Sequence, residues 1–214
     1  MTIHAHKDGD RIQTLTEHSY NVANLARDEA STINQGHVLF LLGLYHDLGK
    51  ADRKFQKKLT DKPDMHVDHS YAGARYLFSQ IKETINYSPF TDIIAYVIAA
   101  HHGLFDIYKE QDPGNNHLYK RLTIKEGYHF NEDILNYAKI LEQSLPKYGY
   151  QNLKDLLQKA HKEYTTAWQK LYPKDNIEKT YYEGCLMRLY LSYLKNADIL
   201  DTINAYETII EPTP

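Results

Sequence analysis

Residues 38–50 read VLFLLGLYHDLGK, an almost unbroken apolar run that ends in a histidine and a carboxylate. Val38, Leu41, Leu42, Tyr45 and Leu48 recur at helical spacing. The segment is therefore predicted to be a core helix that carries His46 and Asp47 at its C-terminal end, with Gly49 as its stop. A polar pair in that place needs a reason. One buried imidazole beside one buried carboxylate is costly unless each finds partners, and a cation satisfies both together.

Working outward, helical signals fill most of the remaining chain. Upstream, Thr14 and Glu17 have capping-box spacing, and Val22, Leu25 and Ala26 continue a stripe to about Ser31, with His18 in the first turn. Gln35-Gly36 separates this helix from the central one. Downstream, Asp52 is placed as the N-cap of a short basic helix, Arg53 to Leu59, followed by a Lys62-Pro63-Asp64 loop. The next helix starts near Asp68-His69 and carries the small residues Ala72, Gly73 and Ala74. Ser88-Pro89 opens another that runs through Ile93, Ile94, Val97 and Ile98 into His101-His102-Gly103, with Gly103 as its stop. Periodicity fades over 104–130, expected to be a long loop or a short strand pair around Leu122 to Ile124. Helices then resume over 131–145, 153–171 and 176–206. The expected architecture is an all-α helical bundle, and with no Pro/Gly/Ser-rich linker residues 1–214 are expected to form one domain.

Composition narrows the function classes. A net charge of −3 gives no strongly basic face of the kind that coats nucleic acid, although bound cations can supply local positive charge at a cleavage site. The longest apolar run, Val38 to Tyr45, is far short of the ~20 residues a membrane span takes. One cysteine, Cys185, allows no internal disulfide, and the N-terminus lacks a hydrophobic signal region, so a cytoplasmic protein with no membrane partner is expected. Twelve histidines and nineteen tyrosines are the oddities. Most of the tyrosines fall in helical stripes with Leu and Ile and are read as core or boundary residues.

His18, His46, Asp47, His69, His101, His102 and Asp198 are polar residues on otherwise apolar helices, and each falls at a helix end or beside small residues. Imidazole with carboxylate suits Mn, Fe, Co, Ni or Zn, and an all-oxygen site is more usual for Mg alone. Seven ligands exceed what one cation needs while keeping positions open for substrate, which points to two. His4, His6, His37, His117, His129 and His161 lack such context and are read as solvated. Asp201, three residues beyond Asp198, has the spacing to touch the site, but a surface or helix-pairing role is the plainer reading.

An HD pair in an apolar helix, with a distant upstream histidine and the downstream Asn196-Ala197-Asp198, resembles the HD phosphohydrolase superfamily. The HDLGK form, the following KADRKFQKKL, the DHSYAGA segment and the AAHHG segment resemble a narrower group, the HD nucleases of type I CRISPR systems, over about 14–106 and 183–205. That resemblance implies an HD-domain bundle in which His18, His46, Asp47 and Asp198 surround one metal. It further implies that His69, His101 and His102 surround a second, with Asp47 bridging. His66, close to His69 in sequence, competes for that last assignment. The implied cofactors are two divalent cations, drawn from Mn, Ni, Co, Fe or Mg.

The implied activity is cleavage of single-stranded DNA by a metal-dependent phosphodiesterase, with Asp47 and Lys50 as catalytic residues, the latter neutralising charge that develops on the phosphate. Arg53, Lys54, Lys57 and Lys58 are read either as a phosphate track or as a solvated face. The implied partners are a CRISPR RNA-guided surveillance complex and a helicase, supplied in trans or by a region beyond Pro214, because the chain has no GxxxxGK[ST] loop of its own. Two alternatives remain open: an HD-type phosphohydrolase of nucleotides or signalling nucleotides, and a non-catalytic docking domain that keeps a structural metal.

Overall fold

The computed structural model describes residues 2–8, 11–60, 67, 69–105, 108–109, 112–123 and 131–206. Its helices are α1 (Leu15–Ala30), α2 (Gly36–Tyr45), α3 (Arg53–Thr60), α4 (Ser70–Thr84), α5 (Pro89–Ala99), α6 (His117–Leu122), α7 (Glu132–Gln143), α8 (Leu153–Leu171) and α9 (Asn176–Tyr206). Two small antiparallel ribbons accompany them: β1 (His4–Asp8) with β2 (Arg11–Thr14), and β3 (Tyr108–Lys109) with β4 (Asp112–Asn116). The protein is an all-α bundle, as the periodicity predicts. No described helix is long and apolar enough to cross a membrane.

A helix that is apolar all round has to be surrounded, and α2 is: Val38 through Tyr45 are buried on every face. α1, α4, α5, α8 and α9 pack around it. The caps that the sequence suggests are present, with Thr14 accepting from the Glu17 N–H at 3.2 Å and Asp52 accepting from the Lys54 N–H at 2.7 Å. Asp175 caps α9 in the same way, accepting from the backbone of Ile177 and Glu178.

Four expectations are corrected. α2 ends at Tyr45 rather than at Gly49, and His46-Asp47 form the turn into a 3-10 segment, Leu48–Ala51. Gly49 is needed there for space, because a Cβ would stand 2.1 Å from the His69 carbonyl oxygen. α5 likewise stops at Ala99, leaving His101 and His102 in a turn; a Cβ on Gly103 meets nothing within 4 Å. In the 104–130 region the strand pair is β3–β4, while Leu122 closes helix α6; Ile124 lies outside the described residues. The β1–β2 ribbon was not expected at all, since four or five residues give too little alternation to read.

The tyrosines explain much of the core. Tyr20, Tyr76, Tyr137, Tyr150, Tyr164 and Tyr190 are all less than a tenth exposed, and most of their hydroxyls are tied down. Tyr20 donates to the Leu141 carbonyl, Tyr76 to Glu142, and Tyr190 to Gln35. The Tyr137 and Tyr150 hydroxyls lie 2.7 Å from Thr16 Oγ1 and 2.8 Å from His37 Nδ1. Burial pushes the Tyr137 and Tyr150 phenols up to about 12 and raises the other four as well. A raised folded-state pKa leaves stability intact below the unfolded phenol's ~10 and removes it as pH climbs toward the folded value, by ~1.4 kcal/mol per pH unit for each phenol. The melting temperature should therefore fall steeply above pH ~10, with the buried phenols' share of the tyrosinate absorbance appearing only together with the loss of helical circular dichroism. Absorbance equal to all nineteen tyrosinates near pH ~10 with the helices intact would contradict this.

Candidate metal centre

Five elements deliver the candidate ligands. His18 comes from the first turns of α1, His46 and Asp47 from the turn after α2, and His69 from the N-cap of α4. His101 and His102 come from the turn after α5, and Asp198 from the last third of α9. Helix ends suit this purpose, because the chain there turns and lets side chains project across the bundle.

All seven predicted ligands come together in two groups that share Asp47: His18, His46, Asp47, Asp198, and Asp47, His69, His101, His102. Within each group the ligand atoms lie within 4.8 Å of one another. The carboxylate of Asp47, almost wholly buried, is divided between them. Its Oδ2 lies 3.2 Å from His18 Nε2, 3.3 Å from His46 Nε2 and 2.6 Å from Lys50 Nζ. Its Oδ1 lies 3.5 Å from both His69 Nε2 and His101 Nε2. Asp198 Oδ1 closes the first group, 3.3 Å from His18 Nε2 and 3.7 Å from His46 Nε2.

The imidazole rings are held from behind. His46 Nδ1 donates to the Gly43 carbonyl at 2.7 Å and His101 Nδ1 to the Ile98 carbonyl at 2.6 Å, so each turns its Nε2 toward Asp47. Yet His46 Nε2, His101 Nε2 and Asp47 Oδ1 are buried and make no hydrogen bond among the described residues. Buried polar atoms left in this way, converging from different helices, are what a cation would satisfy, and the residues present fit a divalent metal centre. The second group is the more open: His102 is exposed, and its Nε2 lies 2.7 Å from that of His69.

Electrostatics divides the cluster in the same manner. Burial alone would pull the His18 imidazole down, but its bonds to Asp198, Asp201 and Asp47 outweigh burial and push it up to about 10. Against the same burial, the nearby carboxylates of Asp47 and Asp198 push His46 up to about 9. Burial resists ionisation of Asp47 and Asp198 too, and their cationic neighbours nonetheless hold both well below the usual carboxylate range. At the open end burial lowers His69 and takes His102 down to about 4, helped by His101 and His69. The carboxylates thus favour the charged form of His18 and His46 without a cation, and a cation bound between them would take over that role.

Other sequence readings fare unevenly. Lys50 is drawn into the cluster, buried against Asp47. Phe55 of α3 packs its ring 4.8 Å from that of His69, which fixes the basic helix beside the site. Arg53 on that helix is paired with Asp133 at 2.9 Å. The histidines read as solvated are half-buried: His6 stands edge-on to His18 at 4.8 Å, His37 meets Tyr150, and His161 packs on Phe90. His66 and His129 lie outside the described residues. Asp201 is buried and bonded to His18 Nδ1 at 2.7 Å, not on the surface. Its spacing of three from Asp198 was the available signal.

A helical bundle whose turns gather imidazoles around one shared carboxylate has the donors to hold a divalent metal. A family model for the HD domain matches residues 15–144, and the chain belongs to that family, the metal-dependent phosphohydrolases. The match runs from α1 to α7, while Asp198 reaches the site from α9, beyond it. No curated protein sequence matches the chain.

Proposed function

We propose that this chain is a two-cation HD nuclease of the CRISPR type that cleaves single-stranded DNA, with residues 1–214 acting as one domain beside a helicase and an RNA-guided complex. The observation that carries the two-cation reading is the division of Asp47, whose two oxygens face two different sets of imidazoles. When bound, two divalent cations supply Lewis acidity to a phosphate and bring the pKa of water toward neutrality. His18, His46 and Asp198 would hold one and His69, His101 and His102 the other, with Asp47 common to both.

The chain's own groups do the rest. Lys50 offers its ammonium to a phosphate oxygen arriving against Asp47, and the low-dielectric surroundings strengthen that attraction. The exposed His102 marks an open edge that admits a polymer, and α3 presents Lys54, Lys57 and Lys58 next to it through the Phe55–His69 contact. These features support a strand over a mononucleotide. Replacing Lys50 with alanine should lower hydrolysis by roughly 10²-fold. Mn binding should not weaken in that variant, because the ammonium competes with a cation for Asp47 Oδ2; a loss of metal with the lysine would refute the role.

The substrate is tested by incubating the metal-loaded protein with circular single-stranded DNA and, separately, with nucleoside mono- and triphosphates. Mn- or Co-dependent nicking of the circle is the expected result. Phosphate release from nucleotides with the DNA left intact would replace the nuclease reading with a nucleotide phosphohydrolase.

A further inference from the structure

Among the four imidazoles that turn Nε2 toward Asp47, one is backed differently. His46 and His101 give their Nδ1 protons to backbone carbonyls, and His69 Nδ1 lies 3.3 Å from the carbonyl of Val67. His18 Nδ1 instead meets a carboxylate oxygen, Asp201 Oδ2, at 2.7 Å. That carboxylate is itself held by two amides: Gln13 donates to Oδ2 at 2.8 Å and Asn21 to Oδ1 at 2.8 Å. Its side chain is 5% exposed. Three elements, β2, α1 and α9, thus fix one group behind one histidine.

The charge of Asp201 has its counterpart at His18. The shallow cavity on its outer side is lined by Ile12, Gln13, Glu17, Asn21, Asn204 and Ala205, which include no lysine or arginine. A buried carboxylate bonded to neutral amides and one imidazole draws its compensation through that ring. An imidazole whose Nδ1–H is held by a carboxylate is a stronger donor at Nε2 than one held by a carbonyl, and its tautomer and ring plane are fixed.

We propose that Asp201 is a positioning residue that locks His18 with Nε2 toward Asp47 and Asp198 and makes the cation position served by His18 the tighter of the two. This rests on the dinuclear reading above. The remaining composition agrees, since that position has two carboxylates and buried imidazoles, whereas the other has one carboxylate and the exposed His102. The two positions then fill in order. The His18 side stays occupied, and the His69–His102 side responds to the free concentration of cation.

The test is calorimetric titration of Mn into the full, chelator-stripped chain and into its Asp201→Asn variant, an isostere that keeps an acceptor and removes the charge. The wild type should show a tight and a weak step. In the variant the tight step should weaken by roughly 10- to 100-fold with the weak step unmoved. An unchanged tight step, or equal weakening of both, overturns the role of Asp201 and leaves the metal centre standing. No Mn uptake by the wild type overturns both. Should the variant fail to fold, imidazole nitrogen NMR of the Zn-loaded wild type decides: a proton on His18 Nδ1 with Zn at Nε2 is expected, and a proton on Nε2 refutes it.

Discussion

Replacing Asp47 with asparagine is expected to abolish hydrolysis, by at least ~10³-fold, and to remove both cations together. The reason is geometric, because among the described residues no other faces both ligand groups, with Oδ2 toward His18, His46 and Lys50 and Oδ1 toward His69 and His101. Asp198→Asn, by contrast, takes a ligand from the first group alone and should leave one Mn per chain. Asparagine at 47 also strands the buried Lys50 ammonium, a situation that costs ~3–5 kcal/mol when one partner of a buried pair is lost. Metal content by mass spectrometry, hydrolysis and thermal melting read the three effects separately. Two bound Mn in the Asp47→Asn chain would show that the carboxylate bridges nothing.

Adding one methyl group at Gly43 or Gly73 should damage the fold nearly as severely as the first substitution damages the chemistry. A Cβ at Gly43 would stand 2.6 Å from the Cα of Ala23, where α1 crosses α2. At Gly73 it would stand 1.9 Å from the Tyr45 carbonyl oxygen, one residue before His46. Both obstacles are backbone, so no rotamer change relieves them and the helices must separate. Each alanine is expected to cost ~3 kcal/mol or more, although alanine itself favours helix by up to ~1 kcal/mol over glycine. For a chain of this length that lowers the melting temperature by roughly 6–12 °C. Gly184 in α9 is the control: a Cβ there meets nothing within 4 Å, and alanine should hold or raise stability. A Gly73→Ala chain that melts like the wild type would mean that α4 and the turn after α2 are not packed backbone to backbone. Because that contact sets the height of His46 and Asp47 over the bundle, Gly73→Ala should also weaken Mn binding.

The residues at which the sequence could be read share a property, and so do those at which it could not. The helical stripes of α1, α2, α4, α5, α8 and α9 are visible because each is a local repeat of apolar side chains, and burying that repeat is what stabilises the element. The candidate ligands were visible for the opposite reason, as polar residues that break the repeat at helix ends. The β1–β2 ribbon was missed, and the strand pair in 104–130 was placed too late in the chain, because two to five residues carry too little periodicity. Gly49 and Gly103 both looked like helix stops. Only the tertiary structure separates them, the first pressed against the His69 backbone and the second in open space.

For this chain, then, sequence alone determined the all-α class, the identity of the seven clustered residues and the likeness to HD proteins, since these depend on residue type and near-neighbour spacing. Tertiary structure decided which oxygen of Asp47 faces which imidazole, that Lys50 is buried in the cluster, and that Asp201 stands behind His18 from 183 positions away along the chain. Side-chain direction across a bundle is set by how helices cross, and crossing is fixed by close approaches such as Gly43 on Ala23, which no one-dimensional pattern encodes.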